Sequence, residues 1–253
     1  MLETKKILAP TWIPDYKKEI DAIWLQVVEL NSNLFLLEHI SKFPFKLFLV
    51  RPPTFWTLTG NALYESCVMC VWRMAVDADG DYLTAAQLKN AVLKNTVDAA
   101  AKLSLQAELK AVEFEKTLKA IKQKIRDLRH NQYGHFSRRV IAPTGASGAA
   151  VPRVSLTDLK TVRDRLNALL QVLALDTELM FLPLDYDPKV QHPSNTDPRP
   201  DIVELLDMIA FNSQIIRDPE NNPELWEHRR KLMEQDELDA LNLYRHKLGL
   251  PKM

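Results

Sequence analysis

Glycine is scarce in this chain. Six in 253 residues are too few for the turns of a β-rich fold. Cysteine is scarcer, at two residues. A secreted fold stapled by several disulfides is therefore not indicated. Net charge is absent: Lys plus Arg equals Asp plus Glu, at 33 each, so global charge says nothing about a nucleic-acid partner. Long apolar runs are missing too. The most apolar stretch, Phe43 to Val50, is bounded by Lys42 and Arg51-Pro52-Pro53 and is far too short to span a bilayer. Met1 to Lys6 leads into polar sequence with no apolar signal core. The expected setting is the cytoplasm, with no membrane partner. No phosphate-binding glycine loop is present, which argues against a nucleotide kinase or a Rossmann dehydrogenase. No nucleophile-elbow motif supports a Ser-His-Asp hydrolase.

What the chain does have is helical pattern. Apolar content is 46%, enough for a real core, and fifteen prolines cluster between long Ala/Leu/Lys/Glu/Gln stretches. A first helix is expected over 14–42, with Ile20, Ile23, Trp24, Val27, Val28, Leu30 and Leu34 at helical spacing. Thr59 to Val76 reads as a buried helix, and Asp77 to Asp81 as a turn. Thr84 is placed to cap a helix through about Asn95. The longest helix is expected from near Leu103 to about Tyr133, ended by Gly134. Its apolar residues Phe114, Leu118, Ile121, Ile125 and Leu128 step by four, three, four and three. Pro143 to Pro152 reads as a mobile loop. Ser155 or Thr157 then caps a helix whose apolar face is Leu159, Val162, Leu166, Leu169, Leu170 and Leu173. Two more helices are expected over 201–216 and 223–248. The resulting expectation is all-α: a bundle over 1–182, a Pro-rich connector over 183–200 and a C-terminal helical extension over 201–253.

Charge is unevenly spread. From Lys110 to Arg139 there are nine basic and three acidic residues, a net of +6; from Asp185 to Met253 there are fourteen acidic and nine basic, a net of −5. The basic stretch contains Ile125 to Arg139, IRDLRHNQYGHFSRR, in which His135 follows Arg129 by six positions. Arg holds a phosphate in a bidentate way and stays charged. His titrates near neutrality and can shuttle a proton. Such a pair suits RNA cleavage without a metal or other cofactor: a base activates the ribose 2′-hydroxyl and Arg stabilises the developing charge. DNA lacks that hydroxyl. Spacing alone carries little, because a chain this rich in Arg and His meets it by chance. The competing reading is a solvated basic helix end with His135 as a charge partner for the helix dipole. Residues six apart on an ideal helix point about 120° apart. Arg129 and His135 therefore converge only if the helix ends near Gly134 or a second subunit brings its own pair.

IRDLRHNQYGH closing a long helix resembles the signature of HEPN proteins (higher eukaryotes and prokaryotes nucleotide-binding), most closely the AbiU2-like branch, named for a phage abortive-infection system. Trp72-Arg73 to Asp77, and the following segment with Leu83 and Leu88, are similar to that branch as well. The resemblance spans roughly Ile20 to Leu175. His130 stands where Asn or Asp is commoner, Gln132 where Lys is usual, and Gly134 where Ala is usual. The resemblance implies a HEPN-like helical bundle that forms a homodimer with its motifs facing across a basic cleft. It implies a metal-independent endoribonuclease of bacterial defence or of a toxin–antitoxin system, with an antitoxin or other regulatory protein as a further partner. His135 would be the acid/base and Arg129 the phosphate holder, with His130 and Asn131 as polar support. Tyr133, Lys122, Arg126, Arg138 and Arg139 would bind RNA. The alternative is a non-catalytic scaffold that dimerises or binds a partner through the same helices.

Other motifs give way to plainer readings. Cys67-Val-Met-Cys70 has no second ligand pair for zinc, and its apolar helical flanks favour core thiols. Asp77 to Asp81 has its glycine in the wrong place for a calcium loop. Trp226-Glu-His228-Arg-Arg reads as a solvated helix face.

Overall fold

The computed structural model describes residues 3–45, 54–76, 83–129, 154–177, 179, 202–203, 205–210, 235–247, 249 and 252. Among them all regular structure is helical: α1 (Thr4–Ile7), α2 (Ile13–Lys42), α3 (Thr54–Val71) continued by a π-helical turn (Trp72–Val76), α4 (Ala85–Asn95), α5 (Ala99–Ala111), α6 (Phe114–Leu128), α7 (Leu156–Leu173) and α8 (Gln235–Lys247). Residues 202–203 and 205–210 are helical too. One isolated antiparallel bridge joins Leu8 to Thr96. The expected turn at 77–81, the helix end at Gly134, the loop at 143–152 and the connector at 183–200 lie outside the described residues.

The chain divides into two compact units. The first comprises 1–34 and 63–183; the second comprises 35–62 and 184–253. In the first unit α7 packs on α4, α5 and α6. All six apolar positions expected for α7 are buried, and at ~1.5–3 kcal/mol per large apolar side chain such a face anchors the bundle. Tyr16 of α2 donates its hydroxyl to the carbonyls of Leu173 and Ala174, at 2.9 Å each. Burial pushes that phenol up to about 12, so it remains a donor. The α2 stripe of Tyr16, Ile20, Ile23, Val27, Leu30 and Leu34 is buried. By length and composition α2 passes as a membrane span, but its apolar stripe is spent inside the protein, as in a core helix.

Local chemistry sets the helix starts. Thr84 and Gln87 form a capping box, with Thr84 accepting from the Gln87 N–H and Gln87 from the Thr84 N–H. Ser155 and Asp158 form a second one at α7. Burial pushes the Asp158 carboxyl up, but hydrogen bonds from Ser155 and the nearby Lys124 outweigh it and hold the group below its usual range.

Two expectations are corrected. The helix expected from Thr59 starts at Thr54; its first turns expose Phe55 and Leu58, so no buried stripe marks them in the sequence. Among the described residues, the long helix expected over 103–133 is two helices, Ala99–Ala111 and Phe114–Leu128. The chain breaks at Val112 and Glu113, where Glu113 adopts left-handed φ 53°, ψ 25°. Leu105, Leu109 and Val112 are buried on one side of the break and Phe114 on the other. A two-residue step from Val112 to Phe114 would turn the apolar face by about 160° in one straight helix. The break restores it.

In the second unit Ile40, Phe43, Phe45, Ile202, Val203, Leu206, Ala210, Leu241 and Tyr244 are buried. Phe43 meets the Tyr244 ring edge-on at 5.4 Å, and Arg245 pairs with buried Asp207 at 2.5 Å.

Candidate functional site

The candidate site starts from α6. Its apolar stripe, Phe114, Leu118, Ile121, Ile125 and Leu128, is buried throughout. Lys119, Lys122 and Arg126 are exposed, and with Arg129 they step by three, four and three, so they share a second stripe turned about 100° from the first. The basic stripe thus runs beside the core seam and ends at Arg129. Backbone at Arg129 is still right-handed helical, φ −59° and ψ −49°.

Arg129 lies at the edge of the stripe nearest the core, and there it meets an aromatic face. Its guanidinium carbon sits over the Trp72 ring, 4.8 Å from the centroid. That is within the range at which the ring quadrupole attracts a cation. Trp72 is buried and opens the π-turn, which packs against both α4 and α6. The next residue, Arg73, reaches Glu29 of α2 at 3.8 Å and donates to Cys70 Sγ at 3.3 Å. Glu29 also accepts from the Ser66 hydroxyl at 3.2 Å, and Ser66 accepts from Asn33 at 2.9 Å. A polar strip between α2 and α3 therefore leads to the turn that carries Trp72.

Of the residues singled out in the sequence, the structure places Lys122, Arg126 and Arg129 on one stripe. His135, His130, Asn131, Tyr133, Arg138 and Arg139 lie outside the described residues. Trp72 and Arg73 stand together in the sequence, but nothing local to them gives Trp72 a role. The signal for one, an aromatic side chain facing a basic helix end, appears only once α3 and α6 are folded together.

Other chemistry is muted. Cys67 and Cys70 are buried, and burial pushes their thiols up to about 12 and about 11, so both remain neutral core groups. No cluster of metal-ligating side chains occurs among the described residues. A cavity of about 380 Å³ opens where α4, α5 and α6 meet, lined by Lys89, Leu109, Phe114, Glu115, Lys116 and Leu169 among others. Lys89 pairs with Glu115 and Lys116 with Glu113, so much of its charge is internally matched. It lies at the opposite end of α6 from Arg129, about 22 Å away along the helix.

The described residues of the first unit thus form an all-α bundle with a basic stripe that ends on an aromatic platform. The AbiU2 model of the HEPN class matches residues 19–182, more than half of the chain. The chain belongs to the HEPN AbiU2 family, and that region is an HEPN domain of the abortive-infection type. No curated protein and no solved structure matches it.

Proposed function

We propose that the protein is a metal-independent endoribonuclease acting in bacterial defence, or as the toxin of a toxin–antitoxin pair, in the cytoplasm. The observation that carries this reading is the basic stripe Lys119, Lys122, Arg126 and Arg129 on an HEPN AbiU2 domain. Lysine and arginine at that spacing can track successive phosphates of a single strand. Arg129, at the end of the track, would hold the phosphate to be cleaved through bidentate N–H donors.

In the proposed reaction, neutral His135 takes the proton of a ribose 2′-hydroxyl. The oxygen attacks the adjacent phosphorus while Arg129 stabilises the added negative charge. The P–O5′ bond breaks, and a proton passes from an imidazolium to the leaving 5′ oxygen. The products are a 2′,3′-cyclic phosphate and a 5′-hydroxyl. A homodimer would supply the second imidazolium. His130 and Asn131 would orient the groups, and Tyr133, Arg138 and Arg139 would extend the RNA contacts.

The test incubates the full chain with a mixed set of labelled RNAs in EDTA, comparing wild type, His135→Ala and Arg129→Ala. Cleavage by wild type alone supports the reading. Equal cleavage by all three sinks it.

A second reading, a non-catalytic partner-binding protein, draws on the exposed Phe55 and Leu58 of α3, 69% and 62% accessible. It expects a loss of partner binding, and no change in RNA cleavage, when both are replaced by Ser.

A further inference from the structure

We propose that Trp72 is the positioning residue for Arg129: its indole face holds the guanidinium at the end of the basic stripe, aimed at the phosphate to be cleaved. The proposal rests on the nuclease reading above and adds to it a residue that neither the Arg–His spacing nor the family match assigns.

A guanidinium offers a phosphate both charge and hydrogen-bond donors. Its charge and its five N–H donors lie in one plane, with the donors directed outward from the edge. A carboxylate partner would occupy edge donors and offset the charge, leaving less for a phosphate. An aromatic partner takes only the face. The contact of Arg129 with the Trp72 ring, at 4.8 Å, is therefore of a kind that can hold the side chain and still leave its edge donors for bidentate phosphate binding.

The platform itself is fixed. Trp72 is 5% exposed and belongs to the main hydrophobic cluster. It begins the π-turn Trp72–Val76, and such turns inside helices occur frequently at functional sites. That turn packs on α4 and on α6, while its second residue, Arg73, is tied to Glu29 of α2. Three helices thus locate the indole, and the indole locates the guanidinium. Without it the long, many-jointed arginine side chain would sample many rotamers at a half-buried helix end, and fewer of them would meet a phosphate in register.

Trp72 also fills core volume, so the test must separate filling from stacking. In the full-length protein, Trp72→Phe keeps an aromatic face and Trp72→Leu keeps an apolar side chain without one. Trp72→Phe is expected to stay within about threefold of wild type in kcat/KM, and Trp72→Leu to fall about tenfold, a loss of the size cation–π contacts support. In the Arg129→Ala background, where cleavage is expected to be lost, affinity for RNA is read instead, and Trp72→Leu is expected to weaken it no further, because the group it positions is gone. Equal losses for Phe and Leu, or losses that multiply across the double variant, would show a purely structural role and overturn the proposal.

A second readout needs no activity. The Arg129 Nε–Hε NMR resonance, identified by its disappearance in Arg129→Ala, should be shifted upfield by the ring in wild type and Trp72→Phe. It should return towards the ordinary arginine position in Trp72→Leu. A resonance unmoved by Trp72→Leu overturns the positioning role whether or not RNA is cut. Absence of cleavage by wild type, with the upfield shift intact, instead overturns the nuclease reading.

Discussion

Asn31 and Asn167 clasp each other across the α2–α7 seam. Asn31 donates to the Asn167 side-chain oxygen at 3.0 Å, and Asn167 returns a bond at 3.2 Å. The Asn31 amide also donates to the Val27 carbonyl at 2.7 Å, and Asn31 is buried. Two amides here satisfy each other in place of water.

Removing one partner should therefore cost more than removing both. Asn31→Leu is expected to destabilise by about 1–3 kcal/mol, because the Asn167 amide loses its partner beside the core. Asn31→Leu combined with Asn167→Leu should recover part of that loss. Urea unfolding midpoints of wild type, Asn31→Leu and the double variant check this, and a double variant less stable than Asn31→Leu alone would contradict it.

Glu113 holds a left-handed backbone, φ 53°, at the junction of α5 and α6. A side chain there costs roughly 1–2 kcal/mol, and glycine avoids that cost. Its carboxyl is held below the usual range by the Lys116 ammonium, but this pair is on the surface and contributes little. Glu113→Gly should raise the thermal midpoint, and Glu113→Val should lower it. The same sign for both would show that the backbone angle is not what matters at this position.

His39, in the second unit, is buried against Phe35, with ring centroids 4.2 Å apart. It donates from Nδ1 to the Phe35 carbonyl at 2.8 Å. Burial lowers its pKa from the ordinary 6.5. The folded state thus prefers the neutral ring more than the unfolded state does. The stabilisation is full above about pH 6.5 and is lost as pH falls from there through the folded value. Wild type should lose more stability than His39→Gln between about pH 7.5 and about pH 5.5, as read by urea titration at each pH. Parallel losses in the two proteins would assign the pH dependence elsewhere.

Much of this fold was legible because its signals are local. Thr84 with Gln87, and Ser155 with Asp158, announce helix starts within four residues of sequence, and the apolar face of α7 can be read from spacing alone. The α5–α6 break was legible in principle, since Val112 and Phe114 stand two apart in a pattern of threes and fours. It was hidden because residues on both sides are good helix formers. The start of α3 was hidden for a different reason: Phe55 and Leu58 are apolar yet exposed. At the candidate site, the stripe of Lys122, Arg126 and Arg129 follows from periodicity. The partnership of Arg129 with Trp72 does not, because it joins residues far apart in sequence through tertiary packing.

In the proposed reaction the basic end of α6 belongs to a site that uses the ribose 2′-hydroxyl. The most direct measurement compares an RNA cut by the wild-type protein in EDTA with the same strand carrying 2′-deoxy sugar at the cut position. Cleavage of the RNA is expected to leave a 2′,3′-cyclic phosphate, and the substituted strand is expected to resist. Cleavage of both strands at one rate, or RNA products ending in 3′-hydroxyl and 5′-phosphate, would contradict it.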